Sequence, residues 1–357
     1  MGLGANPARA QAGWGLAADG HGELYFCDIQ RDLVWKLEQG GKLRLLLRQN
    51  HCHTLLSGYD GNIYGEDVGG ESRGEGPLSL WKLTPQGERS YVLPPTTRPD
   101  QSIWIVSDPA GNSYSWNGNP ELKRESQILK RTPDGVVTVL AGTDWGYADG
   151  RSGEAKFGNV AGMAMGPDGT LYVVEEGNLR KVLPDGSATT LERGLFSKVA
   201  GGLPGHSGLF NHSMGVAVDA QNNVYVVDYG KRRVVKRAPA GTISTLWQSK
   251  GIANALTHSQ WGWRPTGITI VSNGAYVLED WPLPTFAADL IGSPCVRRVM
   301  PDGSVTSVVC VASNVARGLS GAVLLGLALL VALWRRRRRR YGEPAIPHSS
   351  QYPLFHL

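Results

Sequence analysis

The chain is predicted to be all-β: six four-stranded blades closed into a β-propeller, followed by a single C-terminal transmembrane helix. Two observations carry the propeller. A unit of about 40 residues, built of four short β-type runs, recurs six times, and two of its positions keep the same chemistry in every copy. A third observation carries the helix: an uncharged apolar segment near the C-terminus runs directly into six arginines.

The unit is clearest from His212 to Leu246. Met214 to Asp219 alternates apolar and small residues, Val224 to Asp228 is β-branched and aromatic, and Arg233 to Arg237 and Thr242 to Leu246 complete the four runs. Ala220 to Asn223 and Pro239 to Gly241 read as tight turns between them. The other copies align on the aromatic of the second run: Tyr25, Tyr64, Tyr114, Tyr172, Tyr225 and Tyr276. Three residues after each anchor stands an acid or amide: Asp28, Asp67, Asn117, Glu175, Asp228 and Glu279. In the third run every copy carries a base, namely Lys36, Lys82, Lys130, Lys181, Lys236 or Arg298.

These residues carry a family resemblance. Phe210 to Asp219 with Asn223 to Asp228, and more fully residues 141 to 191, resemble the NHL repeat. Residues 13 to 311 are covered, although Thr54 and Trp104 stand where other copies have Gly15, Gly162, Gly215 and Gly267. The resemblance implies a propeller and no particular activity.

The elements follow in order. Residues 1 to 12 lack the apolar middle of a secretory signal, yet Ala10-Gln11-Ala12 has the small-x-small form of a cleavage site, so they read either as a signal-peptide remnant or as an ordinary N-terminal segment. The propeller occupies residues 13 to 311. Its blades run from Trp14 to Leu47, His53 to Leu93, Ile103 to Leu140, Ala161 to Leu191, Met214 to Leu246 and Pro265 to Val309. Each copy holds all four of its own strands, so the ring is expected to close by packing blade 6 on blade 1. Antiparallel alternation puts the tight turns on one face and the long segments on the other: 68 to 78, 118 to 126, 142 to 160, 192 to 211, 247 to 264 and 281 to 294. Long loops in a compact fold are commonly functional, so that second face is where binding is expected.

Residues 312 to 340 form the membrane unit. Gly318 to Trp334 carries no charge and is just long enough to span, and Arg335 to Arg340 follow as a stop-transfer cluster. The positive-inside rule then places residues 341 to 357 in the cytoplasm as a short tail and the propeller outside, with membrane lipid as a partner of the helix. An apolar segment followed by arginines also resembles bacterial C-terminal sorting signals, from which the tail departs.

Charge narrows the partners. The formal net charge is +5, but Arg335 to Arg340 hold six of the 36 Lys and Arg and Glu343 one of the 31 Asp and Glu, leaving 30 of each. A neutral propeller neutralises phosphate poorly, which argues against nucleic acid. Of the four cysteines, Cys295 and Cys310 lie nearly opposite each other across the Pro301-Asp302-Gly303 turn and are expected to form a disulfide, which favours an exported compartment. Cys27 and Cys52 allow a second pair or two buried thiols.

Candidate chemistry is sparse. Five of the eight histidines, His51, His53, His206, His212 and His258, fall near the loop face, where three could hold zinc with an open position. His53 resembles a metal histidine of the peptidylglycine amidating lyase, a propeller enzyme whose metal histidines begin its innermost strands. The equivalent starts here are Trp14, Ile103, Ala161, Met214 and Thr266, so the match stops at one residue, and His212 lies two positions before its equivalent. Carboxylates such as Glu66 and Glu175 would suit a calcium site of the kind six-bladed lactonases and esterases use. An acid repeated in every blade is better explained as a turn cap, and the repeated base as its partner on the blade surface. No Gly-x-Ser-x-Gly elbow and no phosphate loop occur. Exposed aromatics, Trp145, Trp261 and Trp263 among them, suit recognition of peptide or sugar.

The expected function is a membrane-anchored extracytoplasmic scaffold binding a protein, peptide or glycan through its long-loop face, with Trp14, His53, Trp145, Met214, Trp261, Trp263 and Thr266 as candidate contacts. The alternative is a metal-dependent hydrolase of the lactonase or esterase kind, or a lyase, holding calcium or zinc at the channel mouth through His53 and His212.

Overall fold

The computed structural model describes residues 15–50, 52, 54–68, 78–96, 106–118, 123–196, 215–249, 264–272, 274–280 and 294–311. They form six antiparallel four-stranded sheets, each built of consecutive strands. Blade 1 comprises β1 (Leu16–Ala18), β2 (Leu24–Asp28), β3 (Leu33–Leu37) and β4 (Leu43–Arg48); blade 2 comprises β5 (Leu55–Ser57), β6 (Ile63–Val68), β7 (Leu78–Leu83) and β8 (Arg89–Thr96). Blade 3 has β9 (Val106–Ser107), β10 (Ser113–Trp116), β11 (Ile128–Arg131) and β12 (Val137–Ala141); blade 4 has β13 (Val160–Met165), β14 (Leu171–Glu175), β15 (Asn178–Val182) and β16 (Ala188–Glu192). Blade 5 has β17 (Val216–Val218), β18 (Val224–Asp228), β19 (Arg233–Arg237) and β20 (Ile243–Gln248), and blade 6 has β21 (Arg264–Val271), β22 (Gly274–Asp280), β23 (Cys295–Val299) and β24 (Val305–Cys310). Six blades of four strands were legible from the repeat.

Burial grades across each blade as its composition dictates. The first strand is small and apolar and fully buried, as in Leu16–Ala18 and Val216–Val218, whereas the fourth mixes in polar residues and faces solvent, as in Ile243–Gln248 and Val305–Cys310. The turns on one face share a construction. Asp19 N–H bonds Glu23 O while Gly22 N–H bonds Asp19 O, and the same pair of bonds recurs from Glu38, Thr84, Thr132 and Ala238. Its last turn residue needs a left-handed backbone, supplied by glycine at Gly22 and Gly241 and by Asn222 at φ +59° in blade 5.

The blades pack face to face. One face of blade 3 (Val106, Tyr114, Trp116, Ile128) meets Met163, Met165, Leu171 and Val173 of blade 4, and similar clusters join blades 4 to 5, 5 to 6 and 1 to 2. Tyr276, Leu278, Val296 and Val311 of blade 6 pack on Leu16, Ala18, Leu24, Phe26 and Leu37 of blade 1, so the ring closes by packing, as expected. At the joint of blades 2 and 3 the described residues form no such cluster. There the buried Glu66 stands where the other blades place Cys27, Trp116, Val174, Val227 and Leu278.

The disulfide between Cys295 and Cys310 is formed, with an S–S distance of 2.00 Å, between residues directly paired in β23 and β24. Among the described residues no helix is long and apolar enough to cross a membrane. The predicted span from Gly318 to Trp334 and the cluster from Arg335 to Arg340 lie outside the described residues.

Candidate functional site

The second strands all run toward the long-loop face, and residues at or next to their ends gather buried carboxylates along that rim: Asp28, Glu175, Asp228 and Glu279. Each is held by a guanidinium of its own blade. Arg31 Nη1 lies 2.9 Å from Asp28 Oδ2, Arg233 Nε 3.1 Å from Asp228 Oδ2, and Arg297 Nε 2.7 Å from Glu279 Oε2, while Arg180 Nη1 bonds Glu175 Oε1. Asn117, the amide of the series, accepts from the Gln127 N–H at 2.8 Å. The expectation of backbone caps holds in part: Asp228 also accepts the Lys231 N–H at 3.2 Å and Glu175 the Gly158 N–H at 2.7 Å. The dominant partner is an arginine, because a carboxylate removed from water needs a matching charge as well as an amide.

Blade 4 elaborates the pair. The Arg180 side chain is fully buried between the rings of Phe157, 4.3 Å away, and Tyr147, 5.0 Å away. Besides Glu175 it donates to Lys156 O at 2.7 Å, to Ala148 O, and to Asp149 Oδ1 at 3.1 Å. All five of its polar contacts and stacking partners outside Glu175 thus come from the connection 142–160, which the arginine pins to blade 4. Burial pushes the Glu175 carboxyl from its ordinary 4.5 up to about 7, against the pull of Arg180 and the Gly158 N–H. The native state therefore binds this proton more tightly than the unfolded chain does. Stability from this group is full below pH 4.5 and is lost as the pH rises through 7. Equilibrium unfolding of the wild type and Glu175→Gln between pH 4.5 and 8 is expected to show a decline in the wild type that the variant lacks. Parallel pH profiles would refute it.

The repeated bases have a different role from the one their sequence suggests. Each faces its anchor tyrosine across the second and third strands, as in Tyr25 with Lys36 and Tyr225 with Lys236. The ammonium lies over the ring, 5.1 Å from the Tyr25 centroid, 6.0 Å for Lys130 on Tyr114 and 5.5 Å for Lys236 on Tyr225. Lys36 also pairs with Glu23, the kind of acid partner expected. The anchor hydroxyl reaches back to an aspartate of the tight turn: Tyr64 to Asp60 at 2.7 Å, Tyr114 to Asp108 at 2.8 Å and Tyr225 to Asp219 at 2.9 Å. Sequence reading missed this lock, although an aspartate stands four or six residues before the tyrosine in five copies, and in the blades of Tyr25, Tyr64, Tyr114 and Tyr225 it makes the bond.

Of the predicted contact residues, Thr266 is buried and its hydroxyl donates to Leu278 O at 3.2 Å within blade 6. Trp145 is half-buried, packing on Trp116 with ring centroids 6.3 Å apart. Trp14, His53, His212, Met214, Trp261 and Trp263 lie outside the described residues. Cys27 and Cys52 are buried thiols. Among the described residues no group of three or more His, Cys, Asp or Glu is placed to hold a metal.

No protein family matches the chain, and no curated protein matches it. Among solved structures it is similar to a protein of unknown function from Bacteroides thetaiotaomicron at 15% identity, with 75% of this chain and 67% of that chain covered and a TM-score of 0.50. It is also similar to virginiamycin B lyase from Staphylococcus aureus (13% identity, 83% of each chain, TM-score 0.44) and to the calcium-binding protein regucalcin from Agrobacterium tumefaciens (16% identity, 80% and 89%, TM-score 0.47). At these identities the likeness is one of fold. The chain is an all-β six-bladed propeller.

Proposed function

We propose that the protein is a recognition propeller of the NHL type, which binds a protein, peptide or glycan on its long-loop face without catalysis. The apolar segment Gly318 to Trp334 anchors it, with the propeller extracytoplasmic and the tail cytoplasmic. One observation supports the reading most: the buried carboxylates of the loop-face rim are each engaged by an arginine of their own blade, which spends them on structure. The NHL type rests on residues 141–191 and 210–228. The proposed ligand contacts are the aromatics of that face, Trp145, Trp261 and Trp263.

The full chain purified in detergent is expected to carry no stoichiometric zinc or calcium and to bind members of a peptide or glycan array. Trp261→Ala with Trp263→Ala should weaken that binding about tenfold, the loss of two stacking anchors. Stoichiometric metal that disappears in His53→Ala would overturn the reading in favour of a metal-dependent hydrolase or lyase.

A further inference from the structure

The two unpaired cysteines come together. Cys27 lies in β2 and Cys52 in the connection from blade 1 to blade 2, and both are buried in the apolar cluster that joins those blades. The Cys52 thiol acts directly on the Cys27 thiol, and Cys52 Sγ donates to Thr54 O at 3.3 Å. The backbone holds Cys27 in place through its N–H to Gly15 O at 2.8 Å, and a β-carbon on Gly15 would come within 3.2 Å of Cys27 Cβ. Elsewhere in the ring a cysteine pair in contact is already joined, at Cys295 and Cys310.

We propose that Cys27 and Cys52 form a second disulfide, made while the chain folds, that staples the second strand of blade 1 to the connection entering blade 2. The timing follows from burial. In the folded chain burial, then the Cys52 thiol and the carboxylates of Glu66 and Asp28, push the Cys27 thiol well above its ordinary value, so little thiolate is present to react. In the unpacked chain one cysteine thiolate attacks a low-molecular-weight disulfide, releasing one thiolate and leaving a mixed disulfide. The second cysteine thiolate attacks the cysteine sulfur of that mixed disulfide and releases the other. Two cysteine protons are given up and two electrons pass to the small disulfide, which becomes two thiols. The new bond encloses β3 and β4, so the outer half of blade 1 is tied at both ends. The proposal concerns folding and does not depend on what the loop face binds.

The test starts from the full chain in detergent, reduced and unfolded, then refolded either in a glutathione redox buffer or in excess reductant. Non-reducing peptide mass mapping after oxidative refolding is expected to show a Cys27–Cys52 linked peptide beside the Cys295–Cys310 one. Protein folded first and given oxidised glutathione afterwards should form that link at least about tenfold more slowly. The linked form should melt roughly 5 to 10 °C above Cys27→Val/Cys52→Val, as closing a loop of this length predicts. Two alkylatable thiols after oxidative refolding, or glutathione on each cysteine without a link, would overturn the proposal. So would linked and double-valine proteins that melt together.

Discussion

Arg180→Ala is expected to lower the unfolding free energy by about 3–5 kcal/mol, because it strands a buried partner and empties a packed site. The arginine is closed off from water, stacked on Phe157 and Tyr147 and bonded to Glu175, Asp149 and two carbonyls. Without it Glu175 keeps only the Gly158 N–H among the bonds described above, so its carboxyl, already at about 7, moves further up. The deficit against wild type must then widen as the pH rises through neutrality, since ionising the carboxyl now lacks its counter-charge. The connection 142–160 should loosen with it, and trypsin should cut at Arg151 and Lys156 sooner than in wild type. Arg180→Lys restores the charge but cannot divide one planar group among a carboxylate and two carbonyls, so its loss should fall between those of wild type and alanine. Equal stability of all three proteins by chemical denaturation would show that the site contributes nothing.

How much of this was legible in the sequence varies with the physical distance over which each feature is decided. Blade count, strand order and the facing of Cys295 and Cys310 depend on alternation and turn chemistry within a few residues, and the structure reproduces them. The carboxylates at Asp28, Glu175, Asp228 and Glu279 were visible as a series. Their arginines were not: Arg180, Arg233 and Arg297 stand five, five and eighteen residues further on and the strand pairing brings them across, while Arg31 reaches back three residues from the 3-10 turn Ile29–Arg31. The repeated bases were read as surface charges, whereas register sets Lys36, Lys130 and Lys236 on aromatic faces. Trp145 read as an exposed loop aromatic, whereas packing on Trp116 leaves it half-buried, with one side still open to the loop face. In each case the missing information was which blade face a side chain meets, a matter of register and neighbour.

Trp81 marks the same limit inside blade 2 and supplies the other large effect. Its side chain is fully buried at the joint of blades 1 and 2, among Ala17, Tyr25, Cys27, Val34 and Leu55, and its indole N–H donates to Glu66 O at 3.0 Å. Trp81→Ala should cost about 3–5 kcal/mol, the usual range for an aromatic removed from a core. The ring fits only because residue 65 has no side chain: a β-carbon on Gly65 would fall 2.2 Å from Trp81 Cζ2 and 2.5 Å from Cη2. Gly65 sits in a regular strand opposite Trp81, so the glycine serves space and not backbone conformation. Gly65→Ala alone should therefore cost about 1–3 kcal/mol through forced displacement of the indole. In the Trp81→Ala background the same change should cost little, since the methyl group enters the space the ring has left. The coupling between the two, read from denaturant midpoints of the four proteins, is expected at about 1–3 kcal/mol in favour of the double variant. Additive losses would mean that Gly65 is required for the strand itself, and the steric account of this joint would fall.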